Sequence, residues 1–81
     1  MKYHVDIAEL ADHFVIVMKD KESRKVKKVF TLNHLGTDIL RAYMEGTPQE
    51  DLAPLLAERY KASLERIQQE VSRFYAELAE Y

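Results

Sequence analysis

The chain has 81 residues, of which 47% are hydrophobic and 32% charged, with a formal net charge of -2 and no cysteine. This length predicts one domain, spanning residues 1–81, with a single modest core, and the composition excludes a disordered chain. The absence of cysteine excludes a disulfide, a thiolate metal ligand and a cysteine nucleophile. The opening segment MKYHVDIAEL is charged throughout and contains no apolar run of signal-peptide or membrane length. A cytoplasmic protein without a membrane partner is therefore expected.

Charge is unevenly distributed along the chain. The segment from Lys19 to Lys28 has six basic and two acidic residues, whereas the segment from Asn33 to the end has nine acidic and five basic residues. Such a basic segment is typical of a solvated hairpin loop and a sheet edge protected by lysines. A docking surface for an acidic partner is the second, less favoured interpretation.

Three strands are predicted before Asn33. KYHVDI alternates apolar and polar residues, which is typical of a half-buried strand. HFVIVMK is almost continuously apolar and predicts a central strand covered on both faces. The polar residues DKES then turn the chain into KVKKVFTLN, where Val26, Phe30 and Leu32 are expected to share one face. The short connections predict an antiparallel meander whose third strand lies at an edge.

Helical spacing begins after Asn33, the predicted N-cap of a first helix that ends at Gly46. Thr47, Pro48 and Glu50 then form the pattern of a capping box at the start of a second helix. The expected apolar face of this second helix consists of Leu52, Leu55, Leu56 and Tyr60.

Two further features concern the later helices. Pro54 predicts a kink near Glu50 or a late start of the regular second helix, because proline removes a backbone hydrogen bond. A third helix is predicted to begin near Ser63. Its apolar residues recur at three- and four-residue spacing for five turns, which is typical of a core or groove-lining stripe; they are Leu64, Ile67, Val71, Phe74, Leu78 and Tyr81.

Patterns that indicate catalysis or metal binding are missing from the sequence. The histidines His4, His13 and His34 lie in separate segments and form no pair of ligands on one helical face. The serines lack the glycine-flanked turn that exposes a nucleophile. Gly36 and Gly46 stand too far apart to build a phosphate-binding loop. The chain is therefore expected to be no enzyme and to need no metal or other cofactor.

DNA binding is the alternative function, because strands and helices also combine in winged-helix proteins. A recognition helix needs several Lys or Arg side chains for phosphates and base edges. The third predicted helix has only Arg66 and Arg73 as basic residues, against Glu65, Glu70, Glu77 and Glu80. Its charge argues against a nucleic-acid partner, although the basic strand could still contact a phosphate backbone.

The stretch VFTLNHLGTDILRAYMEGTPQEDLAPLLAERYKASLERIQQEVSRFYAELAE resembles the PqqD-like family, the peptide recognition elements of pathways that modify ribosomally made peptides. The shared pattern starts with a strand ending in Leu-Asn, followed by a helix with small and aliphatic residues and a Gly-Thr turn. It continues with the segment EDLAPLLAERY and a long helix with the spacing of Ile67, Val71, Phe74 and Leu78. The order and spacing of these elements carry the resemblance.

The resemblance implies a winged-helix-like α+β fold, a three-stranded antiparallel sheet followed by three helices, without catalysis. It implies capture of the leader segment of a precursor peptide as an extra strand beside the third strand. The partner enzyme would be a peptide-modifying enzyme such as a radical SAM maturase or a leader protease. An exposed edge strand supports this mode physically, because an extended peptide can pair with its free N–H and C=O groups.

The residues implied for peptide binding come from the third strand and the third helix. They are Lys27, Lys28, Val29, Phe30 and Thr31 of the strand, and Arg66, Ile67, Glu70, Val71, Arg73 and Phe74 of the helix. Ile67, Val71 and Phe74 are as compatible with a plain core as with a groove. The basic residues suit an acidic leader. An unpaired edge also predicts a weak homodimer through strand pairing.

Overall fold

The computed structural model describes residues 2–81 and has the predicted α+β architecture, a three-stranded antiparallel sheet followed by three helices. The strands are β1 (Tyr3–Leu10), β2 (His13–Asp20) and β3 (Val26–Leu32), and the helices are α1 (His34–Glu45), α2 (Gln49–Tyr60) and α3 (Leu64–Leu78). Within residues 2–81, no helix is both long and apolar enough to cross a membrane.

Strand β2 lies between β1 and β3, as predicted. Phe14, Ile16 and Met18 are fully buried on its inner face, whereas Val15 and Val17 on the outer face are only half-buried. The expectation that β2 is covered on both faces is therefore wrong. Successive side chains of a strand point to opposite sides of the sheet, and the helices cover only one of these sides. The neighbouring strands alone shield the outer face.

Strand β3 contains an irregularity that the alternating pattern did not predict. Phe30 and Leu32 lie on the inner face, but the pairing shifts so that Val26 opposes Lys19 and Lys27 is left without a partner. An extra residue of this kind is a β-bulge, and it moves every preceding side chain to the other face. Val26 therefore lies on the outer face, 56% exposed, and not beside Phe30.

The predicted caps of helix α1 are confirmed. The Asn33 side chain accepts a hydrogen bond from the Gly36 backbone N–H at 2.8 Å, so the strand turns directly into the helix. Gly46 ends α1 with a φ of 83°, the left-handed conformation that glycine adopts without strain. The Thr47 N–H closes the helix by donating to the Ala42 carbonyl at 2.9 Å.

The capping box predicted for α2 does not form. Pro48 takes the N-cap position in extended conformation, with no side-chain hydrogen bond, and the helix begins at Gln49. Thr47 belongs to the end of α1 instead, because its N–H is used there and its carbonyl accepts a hydrogen bond from the Tyr75 hydroxyl at 2.6 Å. Helix α2 then continues without interruption through Pro54, so the expected late start is not observed.

The apolar faces of the later helices differ slightly from the predicted ones. Leu55 is 60% exposed and does not belong to the packed face of α2, where Ala53 is buried instead. Helix α3 begins as predicted, with the Ser63 hydroxyl accepting a hydrogen bond from the Arg66 N–H at 3.2 Å. Leu64 in its first turn is 44% exposed, so the buried stripe starts one turn later, at Ile67.

The core has two parts. The sheet cluster consists of Phe14, Ile16, Met18, Leu40 and Leu78, and the helix cluster of Ile39, Ala42, Leu52, Ala53, Leu56, Ile67 and Val71. Neighbouring residues of α1 enter different clusters, and α3 contributes to the helix cluster at its start and to the sheet cluster at its end. A seam between the two clusters therefore runs along α3 on the side of β3.

Candidate functional site

A furrow lies on this seam, bordered by the edge strand β3 and by helix α3. It consists of two depressions of about 420 and 500 Å³ that share Leu32, Arg73 and Phe74. The Arg66 depression is further lined by Thr31, Asn33, Leu35, Gly36, Arg66, Ile67 and Glu70, and the Tyr81 depression by Lys28, Phe30, Glu77, Leu78, Glu80 and Tyr81. We refer to both together as the β3–α3 furrow.

The floor of the furrow is apolar and incompletely covered. Phe30 and Leu32 pack against the sheet cluster and Phe74 packs against the helix cluster, yet all three are only half-buried. Gly36 allows the close approach between these residues. A Cβ atom at this position would lie 3.1 Å from Phe74 Cζ and 3.2 Å from Leu32 Cδ2, so even one methyl group would crowd the floor.

The cationic side chains of the furrow have different surroundings. Lys28 Nζ donates a hydrogen bond to the Tyr81 hydroxyl at 2.8 Å and lies 5.3 Å from the ring centroids of both Phe30 and Tyr81. The hydrogen bond to Tyr81 raises the pKa of Lys28. Lys28 and Tyr81 thus lie together in the Tyr81 depression of the furrow.

Arg73 is held by two carboxylates on its own helix. Its guanidinium lies 2.7 Å from Glu70 Oε2 and 3.4 Å from Glu77 Oε1, and 5.1 Å from the Phe74 ring centroid. The hydrogen bond to Glu70 is the main reason why the pKa of Arg73 is raised. Arg73 consequently lines the furrow, and its positive charge is already paired with these two carboxylates.

The structure brings eight of the eleven predicted residues together in the furrow; these are Lys28, Phe30, Thr31, Arg66, Ile67, Glu70, Arg73 and Phe74. Ile67 is also 1% exposed and therefore a core residue. Lys27 and Val29 lie on β3 but outside the furrow. Val71 is buried in the helix cluster and lines a separate depression between α2 and α3.

Several furrow residues were missing from the prediction; they are Leu32, Asn33, Leu35, Gly36, Glu77, Leu78, Glu80 and Tyr81. Leu32 could have been found by extending the alternation of Lys28 and Phe30 along β3. Continuing the three- and four-residue spacing from Phe74 would have added Glu77 and Leu78.

The three histidines lie apart from the furrow and from one another. His4 Nε2 is 2.9 Å from Asp6 Oδ1, His13 Nδ1 is 3.2 Å from Asp12 Oδ1, and the His34 ring packs edge-on against Phe14. Among residues 2–81, no three His, Cys, Asp or Glu side chains form a group that could hold a metal ion.

The described residues form a small α+β domain with a half-apolar furrow beside an unpaired sheet edge, and such an edge offers free backbone N–H and C=O groups with which an extended partner can pair. Residues 14–81 match the family described as coenzyme PQQ synthesis protein D (PqqD). The chain belongs to the PqqD family, as the resemblance predicted. The matched residues include β3, all three helices and β2 apart from its first residue, His13, and therefore the whole β3–α3 furrow. No curated protein and no solved structure matches the chain.

Proposed function

We propose that this protein binds the leader segment of a ribosomally made precursor peptide as a fourth strand along β3. The observation that carries the proposal is the β3–α3 furrow beside the unpaired edge of the sheet. An extended peptide pairs with the free backbone groups of an edge strand, and its alternate side chains point to the same side of the sheet. Those side chains would enter the furrow.

The furrow offers such side chains an apolar floor with charged rims. Covering the half-buried surfaces of Phe30, Leu32 and Phe74 with apolar groups would stabilise the complex by roughly 25 cal/mol per Å² removed from water. Backbone pairing would supply affinity for any extended peptide. The two depressions would supply the preference for particular leaders.

The role we propose is that of a non-catalytic carrier. Membership of the PqqD family supports a part in a biosynthetic pathway. A leader bound along β3 leaves the remainder of the precursor free, where a partner enzyme, a radical SAM maturase or a leader protease, could act on it. DNA binding has no support from the site, because Glu70 and Glu77 of α3 and Glu80 just beyond its end line the furrow.

Amide hydrogen exchange tests the position of the peptide. The leader encoded by a short precursor gene, sought beside the gene of this chain, is synthesised and added to isotope-labelled protein. The amide signals from Lys27 to Thr31 should all shift, because they lie on the strand that receives the peptide. The amides that point away from β2, about every second one, should also become protected from exchange. Protection of β1 in their place would move the site to the opposite edge of the sheet.

Backbone methylation of the peptide tests the mode of binding without altering the protein. Each N-methyl group removes one N–H donor, and only every second residue of an added strand donates toward its neighbour. Methylation at one alternate set of positions should weaken binding about tenfold or more per site. Methylation at the other set serves as the matched control. Equal effects at both sets would contradict strand addition.

A further inference from the structure

Three cationic side chains line the β3–α3 furrow, and they differ in the ion-pair and hydrogen-bond partners that the protein itself provides. Arg73 contacts two glutamates, and Lys28 donates to Tyr81 and lies over two aromatic rings. Arg66 is exposed and has no carboxylate within ion-pair distance in the described part of the chain, residues 2–81. Lys28 has no such carboxylate either, but its ammonium has the Tyr81 hydroxyl and two aromatic rings as partners. Among the described residues, Arg66 is therefore the furrow cation whose side chain has no partner and is left for a ligand.

The helix explains why Arg66 has no partner. Glu65 is adjacent in sequence and points to a different side of the helix. Glu70, one turn further on, is the nearest helical candidate and the only carboxylate in the Arg66 depression, but its Oε2 lies 2.7 Å from Arg73. An arginine that precedes a glutamate by four residues is also the weaker orientation of such a pair.

The rest of the Arg66 depression provides no other negatively charged group that could pair with Arg66. Thr31, Leu35 and Gly36 are uncharged, and the Asn33 side-chain oxygen already accepts the Gly36 N–H at 2.8 Å. A planar guanidinium binds a carboxylate with two parallel hydrogen bonds, which makes it more selective than a lysine at the same place. The missing partner is thus best supplied by an aspartate or glutamate of the bound peptide.

We propose that Arg66 is the residue by which this protein selects an acidic side chain at one defined position of its peptide. The inference rests on the proposed function. The acidic residue lies over the Arg66 depression, beside the end of β3. Side chains on the same face of a strand recur every second residue, so apolar residues follow at the inward positions two and four residues away, over Leu32 and Phe30.

Selection from a random library tests this without knowledge of the natural leader. Random peptides of about twelve residues, long enough to extend along β3 at about 3.3 Å per residue, are displayed and selected on the full chain. The selection is repeated with Arg66→Gln and with Lys61→Gln. Lys61 is exposed at the end of α2, outside both β3 and the furrow, so its substitution changes the net charge equally and serves as the control.

The peptides selected by the unchanged protein should share one position rich in Asp and Glu. This preference should disappear with Arg66→Gln and persist with Lys61→Gln, while the apolar preferences persist in both. For one selected peptide, Glu→Gln at that position should weaken binding to the unchanged protein about fivefold, the upper range for an exposed ion pair. The same peptide change should have almost no effect on binding to Arg66→Gln.

Two other outcomes separate this inference from the proposed function. Peptides that shift the β3 amide signals but show no acidic preference, or one that survives Arg66→Gln, would overturn the role of Arg66 alone. Failure to select any peptide that shifts these signals would overturn the proposed function, and the role of Arg66 with it. Circular dichroism of Arg66→Gln checks that a lost preference does not result from unfolding.

Discussion

At the residue scale, the contact between Tyr60 and Asp38 joins the end of α2 to α1. The Tyr60 hydroxyl donates to Asp38 Oδ2, and Arg59 lies 3.4 Å from the same oxygen. Replacing Tyr60 by Phe should lower the free energy of unfolding by about 1 to 2 kcal/mol, since the bond has a charged acceptor but is partly exposed to water. Urea unfolding measures the difference. Tyr3→Phe is the control, because the Tyr3 hydroxyl makes no hydrogen bond within residues 2–81.

The same contact predicts a dependence on alkaline pH. Burial, followed by the hydrogen bond to Asp38, raises the pKa of Tyr60 to about 12, compared with 10.0 for a free tyrosine. The stabilisation is complete below the unfolded pKa and is lost as the pH rises toward the folded one, because the unfolded chain releases its proton first. The stability difference between the natural chain and Tyr60→Phe should therefore shrink above about pH 10. A constant difference would show that Tyr60 titrates normally.

At the scale of elements, the first turn of α1 determines the depth of the furrow. An alanine at position 36 favours the helix by about 0.5 to 1 kcal/mol, but its Cβ would lie 3.1 Å from Phe74 Cζ. We expect Gly36→Ala to change stability by less than about 1 kcal/mol and to weaken peptide binding severalfold, because Phe74 or Leu32, both on the floor of the furrow, must shift to make room for the methyl group. Binding and unfolding are measured on the same variant.

Gly46→Ala is a control that should lower stability and leave the peptide affinity unchanged. Nothing lies within 4 Å of a Cβ at this position, but the φ of +83° strains any residue with a side chain. Stability should fall by about 1 to 2 kcal/mol, and affinity should stay unchanged, since Gly46 lies outside the furrow. If both glycine variants bound the peptide with equal affinity, the depth of the furrow would have no influence on peptide binding.

At the scale of the whole molecule, the domain is flat. Its extents are 41 × 28 × 16 Å and its radius of gyration is 13.2 Å, larger than the roughly 12 Å of a compact chain of this length. The flat shape accompanies a core divided into two clusters, and it leaves the furrow open between them. Both outer strands of the sheet also remain unpaired within the described residues.

A free edge strand can pair with a second copy of the chain, so we expect weak self-association. Sedimentation over a range of protein concentrations should show a small dimer fraction that grows with concentration, limited by the lysines on β3. If the copies pair through β3, added peptide should dissociate the dimer, because both compete for one edge. A monomer at every concentration would contradict the expectation, and a dimer insensitive to peptide would place the contact elsewhere.

Most local features of this fold were predictable because they depend on short-range chemistry. Asn33 and Ser63 cap their helices with side-chain oxygens, and Gly46 adopts the left-handed conformation, each from interactions within a few residues. The candidate site was predictable where its residues follow the regular spacing of their element, as Phe30 does in the alternation of β3 and Phe74 in the helical spacing of α3. It was not predictable at Gly36 and Tyr81, which reach the furrow only through contacts with distant segments.

The sequence by itself determined the order of strands and helices, their main caps and the edge position of β3, because hydrophobic period and capping act over a few neighbouring residues. Only the tertiary structure decided the bulge at Lys27, the assignment of Thr47 to the end of α1 and the exposure of Leu55. It also decided which furrow arginine is free, since Glu70 pairs with Arg73 and not with Arg66. These features depend on which of several locally equivalent partners is reached once the elements have packed, and local sequence patterns do not distinguish between such partners.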